Sequence, residues 1–427
     1  MTVTSGINVR LATESSYGTA PTGAYDLVRL VSEDLTPNLE YVESAAIRSD
    51  GQITEVIRTD AMGGGSISGE LCYDSVFDKL AGASFATNAS NAAVTAASDI
   101  SVTPTAATAD VPGLFTAADG TPFSNFRAGM WVVVSGGAAA NRKIYKITKV
   151  SDRVIHVIGN AVTTASAAST TITPLTEYTN GKTIPTYSFE REDSDDTNEV
   201  EAYPGMSVQS MELTLPTTGL ITYSFSMEGK KPSSLTGTNG SSDNAAATTS
   251  PMAAADVVQF WEGDTDLTDV TTAAGTSHPW AENPFQLLDL SISVTPNIRQ
   301  RKAIGTVGPA LAPGRGDIGV TGSFRCYYNA DADGATATRT NKTLIDKALN
   351  DTETSLAFYV KDAAGNGYIF DMPRVQFTNA THTTPGKSED VIVEVEFQAY
   401  RNSLDENAQT GVSGTTFRMV TGTSLPS

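Results

Sequence analysis

Apolar and polar residues alternate with a period of two along most of this chain. Leu288, Leu290, Ile292 and Val294 alternate with Asp289, Ser291 and Ser293. Ile221, Tyr223, Phe225 and Met227 alternate with Thr222, Ser224 and Ser226. Val391, Val393, Val395 and Phe397 alternate with Ile392, Glu394, Glu396 and Gln398. One apolar face at this period predicts half-buried antiparallel strands, and the abundance of Thr and Val suits them. Helical spacing is confined to two short stretches. Residues 74–81 place Val76, Phe77 and Leu80 on one face, and residues 343–349 match them. The expected fold is mainly β, built of β-sandwich or open-barrel modules that each carry one short flanking α-helix.

The pattern is written twice. Leu35-Thr36-Pro37-Asn38 returns as Val294-Thr295-Pro296-Asn297, and Ile67-Ser68-Gly69 as Val320-Thr321-Gly322. Phe77-Asp78-Lys79 returns as Ile345-Asp346-Lys347, and Tyr223-Ser224-Phe225 as Val395-Glu396-Phe397. The order is the same in both halves, which predicts tandem duplication of one module. A doubled module suits a symmetric assembly better than a lone active site.

The first copy is interrupted. Ala- and Ser-rich sequence from 86 to 109 leads into short strand signals around Trp131-Val132-Val133-Val134, Ile144-Tyr145 and Val154-Ile155, as in a small barrel. This insert holds six Lys/Arg (Arg127, Arg142, Lys143, Lys146, Lys149 and Arg153) against Asp119 and Asp152. The expected organisation is an N-terminal arm over 1–25 and a first module over 26–86 and 184–231. Between those two pieces lies a small inserted β-domain with flexible flanks over 87–183. A polar linker over 232–256, a second module over 257–403 and a C-terminal arm over 404–427 follow. Each module also has a long segment after its Thr-Pro-Asn motif, residues 39–64 and 298–317. Such lengths are uncommon inside a compact domain; each is either an extra hairpin or an arm reaching a neighbouring subunit. Arg48, Asp50, Arg58, Arg301, Arg315 and Asp317 are the inter-subunit candidates.

Composition narrows the function classes. The 427 residues carry a formal charge of -20, which repels nucleic-acid phosphates. The opening Met-Thr-Val-Thr-Ser-Gly has no basic region before an apolar core, so no signal peptide is expected. No run of about 18 apolar residues predicts a membrane anchor. Cys72 and Cys326 fall in separate modules and are expected as reduced thiols.

Tempting motifs weaken on inspection. Asn180-Gly181-Lys182-Thr183 ends like a phosphate loop, but Thr176 stands where the first glycine is needed. Asn329-Ala330-Asp331-Ala332-Asp333-Gly334 starts like a calcium loop, but Thr340 replaces the bidentate Glu. Arg315-Gly316-Asp317 is an adhesion tripeptide of a kind that chance supplies. The acidic run that includes Glu192, Asp193, Asp195 and Asp196 is either a solvated hairpin tip or a rim facing DNA or a basic partner surface. His156, His278 and His382 share no metal spacing. The expectation is no enzyme, no metal and no cofactor.

Several ordered stretches together resemble the tail tube proteins of long-tailed, siphovirus-like bacteriophages. They are Ala12-Thr13-Glu14-Ser15-Ser16-Tyr17-Gly18-Thr19, Leu30-Val31-Ser32-Glu33-Asp34-Leu35-Thr36-Pro37-Asn38 and Gly65 to Tyr73 leading into Asp74-Ser75-Val76-Phe77-Asp78. Tyr203-Pro204-Gly205-Met206, and Asp362-Ala363-Ala364-Gly365-Asn366 ahead of Met372-Pro373-Arg374-Val375, complete the set. The resemblance covers most of the chain outside the insert and linker. It implies a structural virion protein, assembled in the host bacterial cytoplasm, whose rings stack into the tail tube through which the genome passes. Self-assembly is the implied partnership, with tape-measure, terminator and distal tail proteins besides, and DNA passes without specific binding. Closing a ring of sheets removes exposed edges, and two modules per chain predict a trimeric, pseudo-hexameric ring in preference to a hexamer. Thr222, Ser224, Ser226, Glu394, Glu396 and Gln398 are the lumen-facing candidates; the alternative is that they face bulk solvent. The basic insert departs from the family and is expected as an exterior decoration held away from the ring. A secreted or cell-surface β-repeat structural or adhesion protein is the alternative function. A carbohydrate-processing β-enzyme is a third, disfavoured by few Trp and no evident carboxylate pair.

Overall fold

The computed structural model describes residues 6–85, 96–106, 113–193, 196–263, 287–328, 342–384, 386–387, 389–402, 414–423 and 425–426. The chain opens with β1 (Ile7–Thr13), β2 (Ala24–Leu27), β3 (Ser32–Glu33), β4 (Thr36–Glu43), β5 (Val56–Glu70) and helix α1 (Ser75–Ser84). Six strands follow: β6 (Ala97–Thr105), β7 (Gly113–Ala117), β8 (Trp131–Gly136), β9 (Ile144–Val150), β10 (Val154–Ile158) and β11 (Ala168–Pro174). Then come β12 (Thr176–Thr179), β13 (Tyr187–Asp193), β14 (Asp196–Leu215), β15 (Thr222–Lys230), β16 (Ser233–Leu235), β17 (Ser242–Asn244) and β18 (Val257–Gly263). The last part holds β19 (Leu287–Thr295), β20 (Arg299–Lys302), β21 (Pro309–Gly314), β22 (Gly319–Tyr327) and α2 (Lys342–Leu349). It ends with β23 (Thr354–Lys361), β24 (Gly367–Thr383), β25 (Ile392–Ala399) and β26 (Arg418–Gly422).

Two long strands organise the molecule. The second half of β14 pairs with β15 on one side and β19 on the other. Its first half pairs with β13 and β16, in a second layer that continues through β1 to β2. Strand β24 does the same, pairing with β25 in its second half and with β23 and β26 in its first. The inner layer therefore runs β3/β4–β5–β15–β14–β19–β22–β25–β24 without a break. One apolar core lies between the layers and spans both halves, with Phe77, Phe225, Phe324, Phe370 and Phe397 buried in it.

Helix α1 starts where the sequence supplies a cap. The Asp74 carboxylate accepts from the Val76 N–H at 3.1 Å, which satisfies one orphan donor of the first turn. Val76, Phe77 and Leu80 are buried. The Tyr368 hydroxyl, from β24, accepts from the Asp74 N–H at 3.1 Å and donates to the Cys72 carbonyl at 3.3 Å. Burial among these groups pushes the Asp78 carboxyl up to about 7, with nearby Asp74 adding to the rise and Tyr368 opposing it.

Strands β6 to β11 close into a six-stranded barrel with its own core of Phe115, Phe123, Val132, Tyr145 and Ile155. The expectation that flexible flanks hold this insert away is corrected by its docking. Trp131 packs on Trp261 of β18, ring centroids 5.3 Å apart. Buried Lys146 meets buried Asp371 of β24 at 2.8 Å, and the Trp131 indole N–H donates to the same carboxylate at 2.9 Å. Arg418 of β26 lies 3.8 Å from Asp371, and Arg127 lies 3.5 Å from the buried Glu177 carboxylate. Four of the six basic residues of the insert hold structure in place. Lys146 and Arg127 make these ion pairs, Arg142 donates to the Gly136 and Gly137 carbonyls, and Arg153 donates to those of Ala117 and Ala118.

Other expected connectors are also built in. Residues 232–256, expected as a linker, supply β16 and β17, the latter parallel to β2. The N-terminal arm supplies β1, which pairs along the whole of β13. The C-terminal arm supplies β26, inserted between β12 and β24. The acidic run is not a uniform rim. Glu192 is buried and paired with Arg10, Asp193 ends β13, Asp195 lies outside the described residues, and Asp196 opens β14. Asn329 to Thr340 and His278 also lie outside the described residues.

Two outcomes are expected. Replacing Asp371 by Ala removes the buried carboxylate that Lys146 and Arg418 share, and loss of one partner of a buried pair costs about 3–5 kcal/mol; urea unfolding followed by Trp fluorescence measures it. The protonated Asp78 contributes stability that is full below its ordinary 3.8 and is lost as pH rises to about 7. The Asp78→Asn variant should therefore gain on the wild type in urea midpoint between pH 5 and pH 8, and an unchanged difference would refute the assignment.

Candidate functional site

Period two places every second residue of the inner layer on the face away from the core. Across neighbouring strands these residues align: Ser68 with Ser224, Ser224 with Glu212, and Glu212 with Ser293. Ser293 continues to Thr321 and Thr321 to Gln398. One row further on, Ser291, Ser323 and Glu396 align, as do Asp289, Arg325 and Glu394 beyond them. The result is one polar face shared by both halves, while the alternate positions Leu213, Tyr223, Ile292, Phe324 and Val395 fill the core.

All six lumen-facing candidates lie on this face. Thr222, Glu394, Glu396 and Gln398 are exposed, and Ser224 and Ser226 are half-buried. Sequence reasoning missed Glu212, Thr214, Thr321 and Ser323, although the same alternation marks them. The face is concave. Glu212, Thr214, Ser291, Ser293, Thr321 and Glu396 line a hollow of about 540 Å³ at the junction of β14, β19, β22 and β25. The Ser291 and Ser323 hydroxyls are 3.1 Å apart. The Asp289 carboxylate beside Arg325 raises that guanidinium above its ordinary range. Among the described residues of this face hydroxyls and carboxylates dominate, and its cations Arg325 and Arg29 are paired with Asp289 and Glu70.

The two long segments are both hairpins, and both leave the same end of the sheet. The first continues β4 and β5 past the last pairing of β5 with β15, Met62 with Lys230. Its strands are exposed, including Tyr41, Val42, Val56 and Ile57. Arg48 and Asp50 pair with each other at its tip at 2.8 Å, and Arg58 sits opposite Tyr41. The second hairpin, β20–β21, leans back over the first half. Lys302 pairs with Asp60 and holds that carboxyl below its ordinary range. The Gln300 amide donates to Ser207 Oγ at 3.3 Å and to the Glu228 carbonyl at 3.2 Å.

Arg301 is exposed on β20. Arg315 donates to the Gly181 carbonyl, and the Asn297 side chain donates to the Asp317 carbonyl at 2.6 Å. These contacts bring Lys182, Arg299, Arg315 and Asp317 around an open cleft of about 880 Å³. The phosphate-loop and adhesion tripeptide motifs thus fall at one place, as parts of a surface cleft.

The sheet also fixes where small residues must stand. Gly69 lies beneath the Tyr223 ring and Gly322 beneath the Phe397 ring, and a Cβ at Gly322 would collide with the Phe397 ring and with the Ser291 carbonyl oxygen. Overpacking of this kind costs about 1–3 kcal/mol. The Gly322→Ala variant should lose that much in chemical denaturation, and Phe397→Leu should recover part of it.

A family model described as phage tail tube protein matches residues 4–399. No curated protein matches the chain.

Proposed function

The chain belongs to the phage tail tube protein family, a non-enzymatic structural component of the virion tail, and from that membership we propose that its polar concave face lines the channel of a ring made of three copies. The observation that carries this reading is the unbroken polar face across eight strand positions, four from each half.

Duplication of one tube module is supported by the pairing order. In the first half β1 pairs with β13, β13 with β14, β14 with β15, β15 with β5, and β5 with β3 and β4. In the second half β18 pairs with β23, β23 with β24, β24 with β25, β25 with β22, and β22 with β19. The helices occupy the same place in both series, after β5 and after β22. The six-stranded barrel is inserted between α1 and β13, where the second half has only a short turn between α2 and β23. At residue level the repeat is offset. Gly69 pairs with Tyr223, whereas Gly322 pairs with Phe397, so the Gly69/Gly322 and Tyr223/Val395 matches differ by two residues in register.

The junction between halves is a template for the junction between chains. Within the chain, Met211–Leu215 of β14 joins Leu290–Val294 of β19. The corresponding part of β24, from Gln376 to Thr383, has β25 as its ladder partner on one side, and the opposite edge of the sheet is β3 and β4. Unpaired edges invite another strand. Pairing β24 of one copy with β3 and β4 of the next closes the ring without a free edge. Three copies of eight strands make a barrel of about 24, well above the 16–18 strands that already enclose an aqueous channel. Glu212, Glu394 and Glu396 would give that channel an acidic, hydroxyl-rich wall along which DNA slides for lack of phosphate contacts. Tape-measure, terminator and distal tail proteins are the partners this assembly would meet at its ends.

Negative-stain class averages of the purified protein should show rings of three copies with a pseudo-sixfold outline. A persistent monomer, or six copies per ring, contradicts the reading. Tubes carrying Glu212→Lys, Glu394→Lys and Glu396→Lys should retain short duplex DNA at low salt and release it as salt rises, while wild-type tubes retain none.

A further inference from the structure

The two hairpins differ in what covers them. The second rests on the first half through Lys302 and Gln300, whereas Tyr41, Val42, Val56 and Ile57 of the first are each more than half exposed. Counted from their Thr-Pro-Asn motifs, the hairpins carry opposite charge at matching positions. Glu40 stands where Arg299 stands, and Glu43 where Lys302 stands. The surfaces at their bases are opposite as well. Asp60 lies at the base of the first hairpin, and Lys182, Arg299 and Arg315 lie around the base of the second, with Asp317 among them.

The lean of the second hairpin has a measurable reach. From β19 it passes β14 and β15 to meet Asp60 on β5, three strand spacings or about 14 Å. The same lean by the first hairpin, starting at the β4 edge, has no strand of its own chain to cross among the described residues. In a ring closed as above it crosses β24 and β25 of the adjoining copy. It ends at that copy's β22, beside the basic cleft.

We propose that the acidic hairpin of one copy docks in the Lys182–Arg299–Arg315 cleft of a second copy, as the charge-reversed counterpart of the Lys302–Asp60 contact. The inference rests on the ring reading. It assigns Glu43, the counterpart of Lys302, to the cleft, while Glu40 stays opposite Asp60 and beside Lys302 of its own chain, and it covers the exposed apolar strands of the hairpin against a second copy. Opposite charge at the two sites makes each hairpin fit one base and oppose the other. Each copy thus docks its first hairpin on a neighbour and its second on itself.

The test is charge reversal scored by electron microscopy and sedimentation at about 0.15 M salt, where exposed charges still interact within about 8 Å. Glu43→Lys should cut the ring fraction at least tenfold while circular dichroism and melting temperature stay unchanged. Lys182→Glu with Arg299→Glu should do the same. All three changes in one chain should restore rings. Rings at wild-type yield from either variant, or a threefold variant no better than its parts, overturn the contact alone. A wild-type chain that stays monomeric overturns the ring reading and the contact with it.

Discussion

The ladder between β14 and β19 is the interaction on which the rest of the structure depends. It joins the last strand of one half to the first strand of the other, so two sheets become one. Without it each half would present an edge, and edges with unpaired N–H and C=O groups recruit partners indiscriminately. With it, the polar faces of both halves merge into a single concave surface and the apolar faces enclose a single core. In the proposed channel the ladder would supply the shape, and the alternation of Ser, Thr and Glu the surface chemistry.

A second constraint comes from charge in the interior. Lys146, Asp371 and Arg418, with Glu177 and Arg127 beside them, join the inserted barrel to β24 and β26. Burying ions is costly unless each has partners, and here the Trp131 indole and backbone N–H groups supplement the ion pairs. Such a cluster fixes one docking orientation, because a shifted barrel would leave an ion without its counterion. The C-terminal strand completes this arrangement, since β26 is hydrogen-bonded to β12 on one side and β24 on the other.

The faces of the strands were legible because period two is a local property. Thr222, Ser224 and Ser226 show their orientation in three consecutive alternations, and Glu394, Glu396 and Gln398 do the same. What depended on distant residues was not legible. Glu192 sits in an acidic run yet is buried, because Arg10, 182 positions away, pairs with it. The basic insert looked like a decorated surface, but Lys146 and Arg127 point at carboxylates that only the fold brings near. A signal did exist: Asp371 stands between Phe370 and Met372, and Arg418 between Phe417 and Met419. A charge inside an apolar strand run needs a buried partner. The two-residue offset between the matched motifs of the two halves was hidden for the same reason, since register belongs to pairs of strands and not to either one.

Strands β14 and β24 each begin in the outer layer and finish in the inner one, across 20 and 17 residues. The two layers are therefore stitched by continuous covalent backbone as well as by side-chain packing. Sliding one layer over the other would require breaking hydrogen-bond ladders on both sides of each long strand at once. A sandwich whose layers meet only through side chains yields to shear by repacking; this one has a stiff wall, in which a load on the concave face passes along peptide bonds to the outside.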